Sequence, residues 1–146
     1  MEDKTILLVE DNPDDEVLTL RALRRNNILN EVIVAHDGEE ALSCLFGDQQ
    51  HSDGAARKLP EVVLMDLKLP KIDGLELLRR IRGDERTRRL PVVILTSSSE
   101  ESDILAGYDL GANSYIRKPV DFSQFVEAVR QLGLYWLVLN VSPAGP

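Results

Sequence analysis

Residues 62–65, Val-Val-Leu-Met, follow the breaker Pro60 and form an apolar run with no polar residue at either parity. Successive side chains of a strand point to opposite faces, so such a run belongs to a strand buried on both. That demands a sheet covered on each side, which is the habit of parallel sheets wound with helices. The run ends in a single carboxylate, Asp66, followed by Leu69-Pro70 and Ile72-Asp73-Gly74, a turn-rich corner. In open α/β sheets the C-terminal ends of the strands are where ligands bind. Taken alone, Asp66 serves equally well as a cap for that corner. The other strand ends bear on the choice.

The same unit recurs along the chain. Thr5-Ile6-Leu7-Leu8-Val9 ends in Glu10-Asp11-Asn12, and Pro13-Asp14-Asp15 begins a helix with acids at the positive end of its dipole. Val17, Leu18, Leu20, Ala22 and Leu23 keep helical spacing as far as Asn26-Asn27. A second strand covers residues 31–35, and Asp37-Gly38 turns it into a helix carrying Ala41, Leu42, Leu45 and Phe46. Residues 47–60 read as a polar loop, the one stretch where mobility is expected. After Asp66 a helix runs from Gly74 through Leu77, Leu78 and Ile81. Residues 92–95 form the fourth strand, ending in Thr96-Ser97-Ser98-Ser99. A helix over 100–110 is stopped by Gly111. Ser114-Tyr115-Ile116-Arg117 is a short fifth strand ending in Lys118-Pro119, and a last helix runs from 121 or 122 towards Asn140. Five strands alternating with five helices predict an α/β fold, a (βα)5 doubly wound parallel sheet with right-handed crossovers. Residues 1–146 read as a single domain, with 134–146 extending the last helix into a tail.

Composition narrows the function. A formal charge of −8 argues against a nucleic-acid or anionic-membrane surface. Six arginines at 79, 80, 82, 86, 88 and 89 resemble a patch, but Asp84 and Glu85 interrupt them; a solvated face is the simpler reading and a docking site the alternative. The lone Cys44, beside Leu42 and Leu45, excludes an internal disulfide and reads as a core or half-buried thiol. The N-terminus enters a strand directly, with no signal peptide expected, and no apolar run approaches the roughly 20 residues that span a bilayer. The expected location is the cytoplasm.

The polar residues at the strand ends are Glu10 and Asp11, Asp66, Thr96 and Lys118, and a parallel sheet brings all five to one edge. Carboxylates about 4 Å apart repel by on the order of 4 kcal/mol at an effective dielectric near 20, so a cation is expected among them. An all-oxygen site with few protein ligands suits Mg2+, with Mn2+ able to substitute. A carboxylate nucleophile, a hard cation, a lysine and a hydroxyl together describe phosphorylation of an aspartate.

These pieces resemble the receiver domain of two-component response regulators over roughly residues 4–133. The resemblance rests on Val9-Glu10-Asp11-Asn12, Met65-Asp66-Leu67-Lys68-Leu69-Pro70 with Asp73-Gly74, Leu95-Thr96-Ser97, Gly111-Ala112, and Tyr115-Ile116-Arg117-Lys118-Pro119. It implies the CheY-like, flavodoxin-like strand order 2-1-3-4-5. It makes Asp66 the phosphoacceptor, supplied by a histidine kinase, in a signalling protein that is not an enzyme but loses its phosphoryl group slowly by itself. Asp11 would bind Mg2+ directly and Glu10 through water, with Asp66 and the Lys68 carbonyl completing the ligands. Glu10 stands where aspartate is commoner in the family, which lengthens one acidic arm. Thr96 and Tyr115 would be the switch pair, Ser97 and Lys118 would contact the phosphoryl group, and Lys118–Pro119 would be a cis bond. Lys68 and Ser98 fall where the family tunes its dephosphorylation rate. The residues 134–143, with the long 47–60 loop, are similar to single-domain regulators that partner bacterial phytochromes.

Three rival readings remain. A phosphatase of the haloacid-dehalogenase type would want a second aspartate at position 68, where this chain has lysine. A flavodoxin-like cofactor binder would need a phosphate loop where Glu10-Asp11-Asn12 would repel phosphate. A receiver used as an adaptor without phosphorylation is disfavoured by the intact Asp66, Thr96 and Lys118. Finally, Phe122, Phe125, Val126, Val129 and Trp136 can form one core-facing helical stripe, which leaves Leu134, Tyr135, Leu137, Val138, Leu139 and Val141 without a place in a small core. The expectation is a homodimer built on this segment, against a tail folded onto its own domain.

Overall fold

A computed structural model describes residues 5–26, 28, 31–47, 59–96, 111, 114–117, 123, 126–127 and 130–131. In chain order its elements are β1 (Ile6–Val9), α1 (Pro13–Arg25), β2 (Val32–Ala35), α2 (Gly38–Phe46), β3 (Val62–Met65), α3 (Gly74–Gly83), β4 (Val92–Thr96) and β5 (Ser114–Arg117). The strands form one sheet in the order β2-β1-β3-β4-β5, every pairing parallel, as expected. Residues 48–58 of the loop expected over 47–60, and the helix expected over 100–110, lie outside the described residues. Of the last helix, Ser123, Val126, Glu127, Arg130 and Gln131 are described, and all are helical.

The central strands divide their side chains by parity. Leu7, Val9, Val63, Met65, Val92 and Ile94 meet Ala41 and Leu45 of α2 and Leu77, Leu78 and Ile81 of α3. Ile6, Leu8, Val62, Leu64, Val93 and Leu95 meet Ala22 and Leu23 of α1, with Val126 packed alongside. All four residues of β1 and of β3 are buried, so continuous apolar runs mark strands with a helical layer on each side. β2 differs. It is as apolar in sequence, yet Ile33 is 39% exposed, because β2 is an edge strand and has a neighbour on one side only. Cys44 is half-buried against the α2–α3 side of the core, as read from its neighbours.

The helices start where short polar side chains take up their free N–H groups. Asn12 Oδ1 accepts from the N–H of Asp14 (2.8 Å) and Asp15 (3.3 Å), with Pro13 as the first residue of α1. Asp37 Oδ1 accepts from Glu40 N (2.8 Å) at α2, and Asp73 Oδ1 from Glu76 N (2.9 Å) at α3. The C-terminal end of α3 is closed from beyond it. The buried Thr87 hydroxyl donates to Ile81 O at 2.7 Å.

The arginines of residues 79–89 do not form one patch. Arg79 and Arg80 both bind Glu76, and Arg86 pairs with Asp84 and lies over the Phe46 ring at 4.9 Å. Arg82 turns inward and donates to Leu90 O (2.7 Å) and twice to Gly111 O (3.0 and 2.6 Å). Burial lowers its pKa. It ties α3 to the chain entering β4 and to the residue three before β5.

Candidate metal centre

The register of the sheet assembles the acidic residues. Val9 lies beside Ala35 on one side and Met65 on the other, so β1 and β3 end level with each other. Each ladder runs one residue further: Glu10 N donates to Ala35 O (2.9 Å) and Asp66 N to Val9 O (3.1 Å). Backbone pairing therefore fixes both residues where their side chains leave the sheet. One carboxylate oxygen from each of Glu10, Asp11 and Asp66 lies within 4.8 Å of the other two. Glu10 is 1% exposed, Asp66 half-buried and Asp11 exposed, so the cluster grades from core to solvent.

Two backbone N–H groups point at the cluster. Asn12 N donates to Glu10 Oε2 (3.2 Å) and Lys68 N to Asp66 Oδ1 (3.3 Å). Asn12 itself is occupied in capping α1. Three carboxylates this close, one of them as buried as Glu10, favour a cation among them. The donor set is hard and all oxygen, short of the six ligands of an octahedral ion, and open to solvent at Asp11. These features fit Mg2+ or Mn2+ completing its shell with water and a phosphoryl oxygen.

The remaining residues singled out in the sequence fall as follows. Lys68 is exposed, two residues beyond Asp66. Thr96 ends β4, paired with Arg117, so Thr96 reaches the same sheet edge as the carboxylates. Tyr115 is paired with Ile94 in the edge strand β5. Ser97, Lys118 and Pro119, with its expected cis bond, lie outside the described residues, as do Leu134, Tyr135, Leu137, Val138, Leu139 and Val141.

One part of the site was missed in the sequence: the corner between β2 and α2. Asp37 is largely buried, and its carboxylate lies 3.5 Å from Lys71 Nζ, in the loop that leaves Asp66. The cap bond from Glu40 and the nearby lysine together lower its pKa. The signal was available, since α2 and α3 both begin Asp-Gly. A glycine in the first turn does nothing for a helix and points to a close backbone approach.

Comparison with known proteins agrees with this geometry. Residues 6–130 match the response regulator receiver domain family. The chain is 41% identical over 141 residues to the probable methanogenesis regulatory protein FilR2 of Methanothrix harundinacea, covering 97% of this chain and 88% of that one. It is 36% identical over 141 residues to the response regulator Rcp1 of Synechocystis sp., covering 97% and 94%. Among solved structures, the phosphorylated cyanobacterial phytochrome response regulator RcpA superposes with a TM-score of 0.86 at 37% identity, over 97% of this chain and 99% of that one. The Mn2+-bound form of Rcp1 gives 0.84 at 35% identity, over 97% and 99%. The bacteriophytochrome response regulator RtBRR gives 0.78 at 49% identity, over 99% and 86%. A divalent cation thus occurs in a relative that this chain matches almost end to end, which supports divalent-metal binding here, and Glu10, Asp11 and Asp66 form a cluster able to hold one. With its sheet order, its acidic strand ends and these likenesses in agreement, the chain belongs to the response regulator receiver family and is a two-component response regulator, a signalling protein served by a histidine kinase.

Proposed function

We propose that Asp66 is the phosphoacceptor and that the cognate kinase is a bacterial phytochrome. The observation that carries the first part is the position of Asp66 in the acidic triad. It is the half-buried member, on the strand end between β1 and β4, and a backbone N–H at 3.3 Å orients its carboxylate. Glu10 is too buried to reach the phosphorus of a donor in solution, and Asp11 is the exposed rim. A carboxylate oxygen of Asp66 attacks the phosphorus, the bond from phosphorus to the kinase histidine nitrogen breaks, and the imidazole leaves neutral. Glu10, Asp11, Asp66 and the Lys68 carbonyl would hold a divalent cation, which would supply charge neutralisation for the transferring phosphoryl oxygens. Ser97 and Lys118 contact the phosphoryl group, Thr96 and Tyr115 form the switch that reports it, and water later hydrolyses the acyl phosphate. Signalling proceeds by protein contact in the cytoplasm.

The phytochrome assignment is supported by two relatives matched over nearly the whole chain, one named a phytochrome and one a bacteriophytochrome response regulator. The homodimer reading is supported by the apolar residues 134–141. Light scattering on the full chain and on a version ending at Gly133 tests it; a monomeric full chain at tens of micromolar, or a dimeric truncation, rules it out. For the central claim, radiolabelled phosphodonor with Mg2+ should label the wild type and leave Asp66→Asn unlabelled. Undiminished labelling of that variant would move the phosphoacceptor elsewhere.

A further inference from the structure

We propose that the β2–α2 corner, Asp37 and Gly38, acts with Lys71 to position the loop 66–73 and thereby sets the affinity of the Glu10–Asp11–Asp66 cluster for its divalent cation. This rests on the reading of that cluster as the metal centre.

The loop is not in a relaxed shape. Ile72 N donates to Pro70 O at 2.8 Å across Lys71, whose φ is +68°, which makes a γ-turn centred on a residue with a side chain. Lys71 is the only non-glycine residue at positive φ among those described. Such a conformation persists where the surroundings hold it. Here they do so from both ends.

At one end α3 begins against the strand terminus. Gly74 N donates to Leu67 O at 2.7 Å, and a Cβ on Gly74 would stand 2.3 Å from Asp66 O. At the other end α2 begins against the turn. Gly38 N approaches Pro70 O at 3.5 Å, and a Cβ on Gly38 would stand 2.3 Å from Ile72 O and 2.6 Å from Ile72 Cβ. No side chain fits at position 38 unless the γ-turn moves away. Over this contact Lys71 Nζ reaches Asp37 Oδ2 at 3.5 Å and Glu39 Oε2 at 3.9 Å. Asp37 serves both sides of the junction, with one oxygen on the α2 cap and the other towards the lysine. Leu67, Leu69 and Ile72 pack into the core between α2 and α3, so a shift at the turn is carried along the loop. The end of that loop is Asp66, whose carboxylate takes its orientation partly from Lys68 N.

The test is Mn2+ affinity, measured by calorimetry on folded protein, beside the Mg2+ dependence of labelling by a small phosphodonor. Gly38→Ala should weaken Mn2+ binding about fivefold or more, and the Mg2+ concentration that half-saturates labelling should rise in parallel. A purely structural glycine would instead lower the melting temperature and leave affinity unchanged. Gly83→Ala, where a Cβ meets nothing within 4 Å, is the control and should bind as wild type does. Should Gly38→Ala fail to fold, Lys71→Met decides. Removing a cation near an acidic cluster tightens Mn2+ binding if only charge matters, whereas loss of positioning weakens it. Asp37→Asn should weaken binding too, and the double variant with Lys71→Met should add little, since one contact is lost either way. Folded Gly38→Ala binding within twofold of wild type, or Lys71→Met binding more tightly, overturns the proposal. A wild type whose Mn2+ binding is absent or indifferent to Asp11→Asn overturns the metal-centre reading itself, and the proposal with it.

Discussion

Glu10→Gln separates the cost of the acidic cluster from its use. Glutamine keeps the size of the side chain and an oxygen for the Asn12 N–H, now 3.2 Å from Glu10 Oε2, but removes one of three charges lying within 4.8 Å of one another. Without metal, a pair of like charges at that distance costs about 3.5 kcal/mol at an effective dielectric near 20. Glu10 takes part in two such pairs. Asp11 is exposed and Asp66 half-buried, so solvent screening brings the sum down to about 1–3 kcal/mol. The desolvation of a carboxylate only 1% exposed is relieved at the same time, in the same direction. The variant should therefore be the more stable protein in chelator, melting roughly 3–9 °C higher. Saturating Mg2+ or Mn2+ should reverse the order, because stabilisation by a ligand grows with its affinity and the variant has lost a ligand charge. Scanning calorimetry of both proteins across a metal titration would show two curves that cross. If Glu10→Gln is the less stable in chelator, or gains as much from metal as the wild type, the cluster is not held together by a cation.

Arg82→Ala should lower the unfolding free energy by about 2–4 kcal/mol, since it leaves Leu90 O and Gly111 O without their charged donor; a fall in the urea midpoint at unchanged slope reads it. Arg82→Lys should recover less than half of that loss, because an ammonium cannot reproduce the fork. Glu76 is held down to about 2, first by its hydrogen bond to Arg79 and then by that to Arg80. A depressed carboxylate pKa means that the pairing is present above the ordinary value near 4.5 and is lost as pH falls through about 2. Side-chain NMR should find that midpoint in the wild type and a return towards 4.5 when both arginines become alanine.

Much of the fold could be read along the chain because its causes are local. A run apolar at both parities can only be a strand covered on two faces, which β1 and β3 are. Asn12, Asp37 and Asp73 act within three residues of themselves, so the helix starts were legible as well. The gathering of Glu10, Asp11 and Asp66 followed from parallel strands alone, since strands that run the same way end on the same edge. Other facts depend on which elements become neighbours. Val32–Ala35 matches β1 in composition, and only its place at the edge of the sheet exposes Ile33. Six arginines within eleven residues look alike in sequence, yet Arg82 alone bonds to both Leu90 and Gly111, because the crossovers bring those two carbonyls to one side chain. Gly38 and Ile72 stand 34 positions apart, and their contact exists because α2 and α3 share one face of the sheet. Periodicity and capping are properties of neighbours in the chain. Close approach between loops is decided by sheet order and the hand of the crossovers, and at Gly38 and Arg82 only the tertiary structure could determine it.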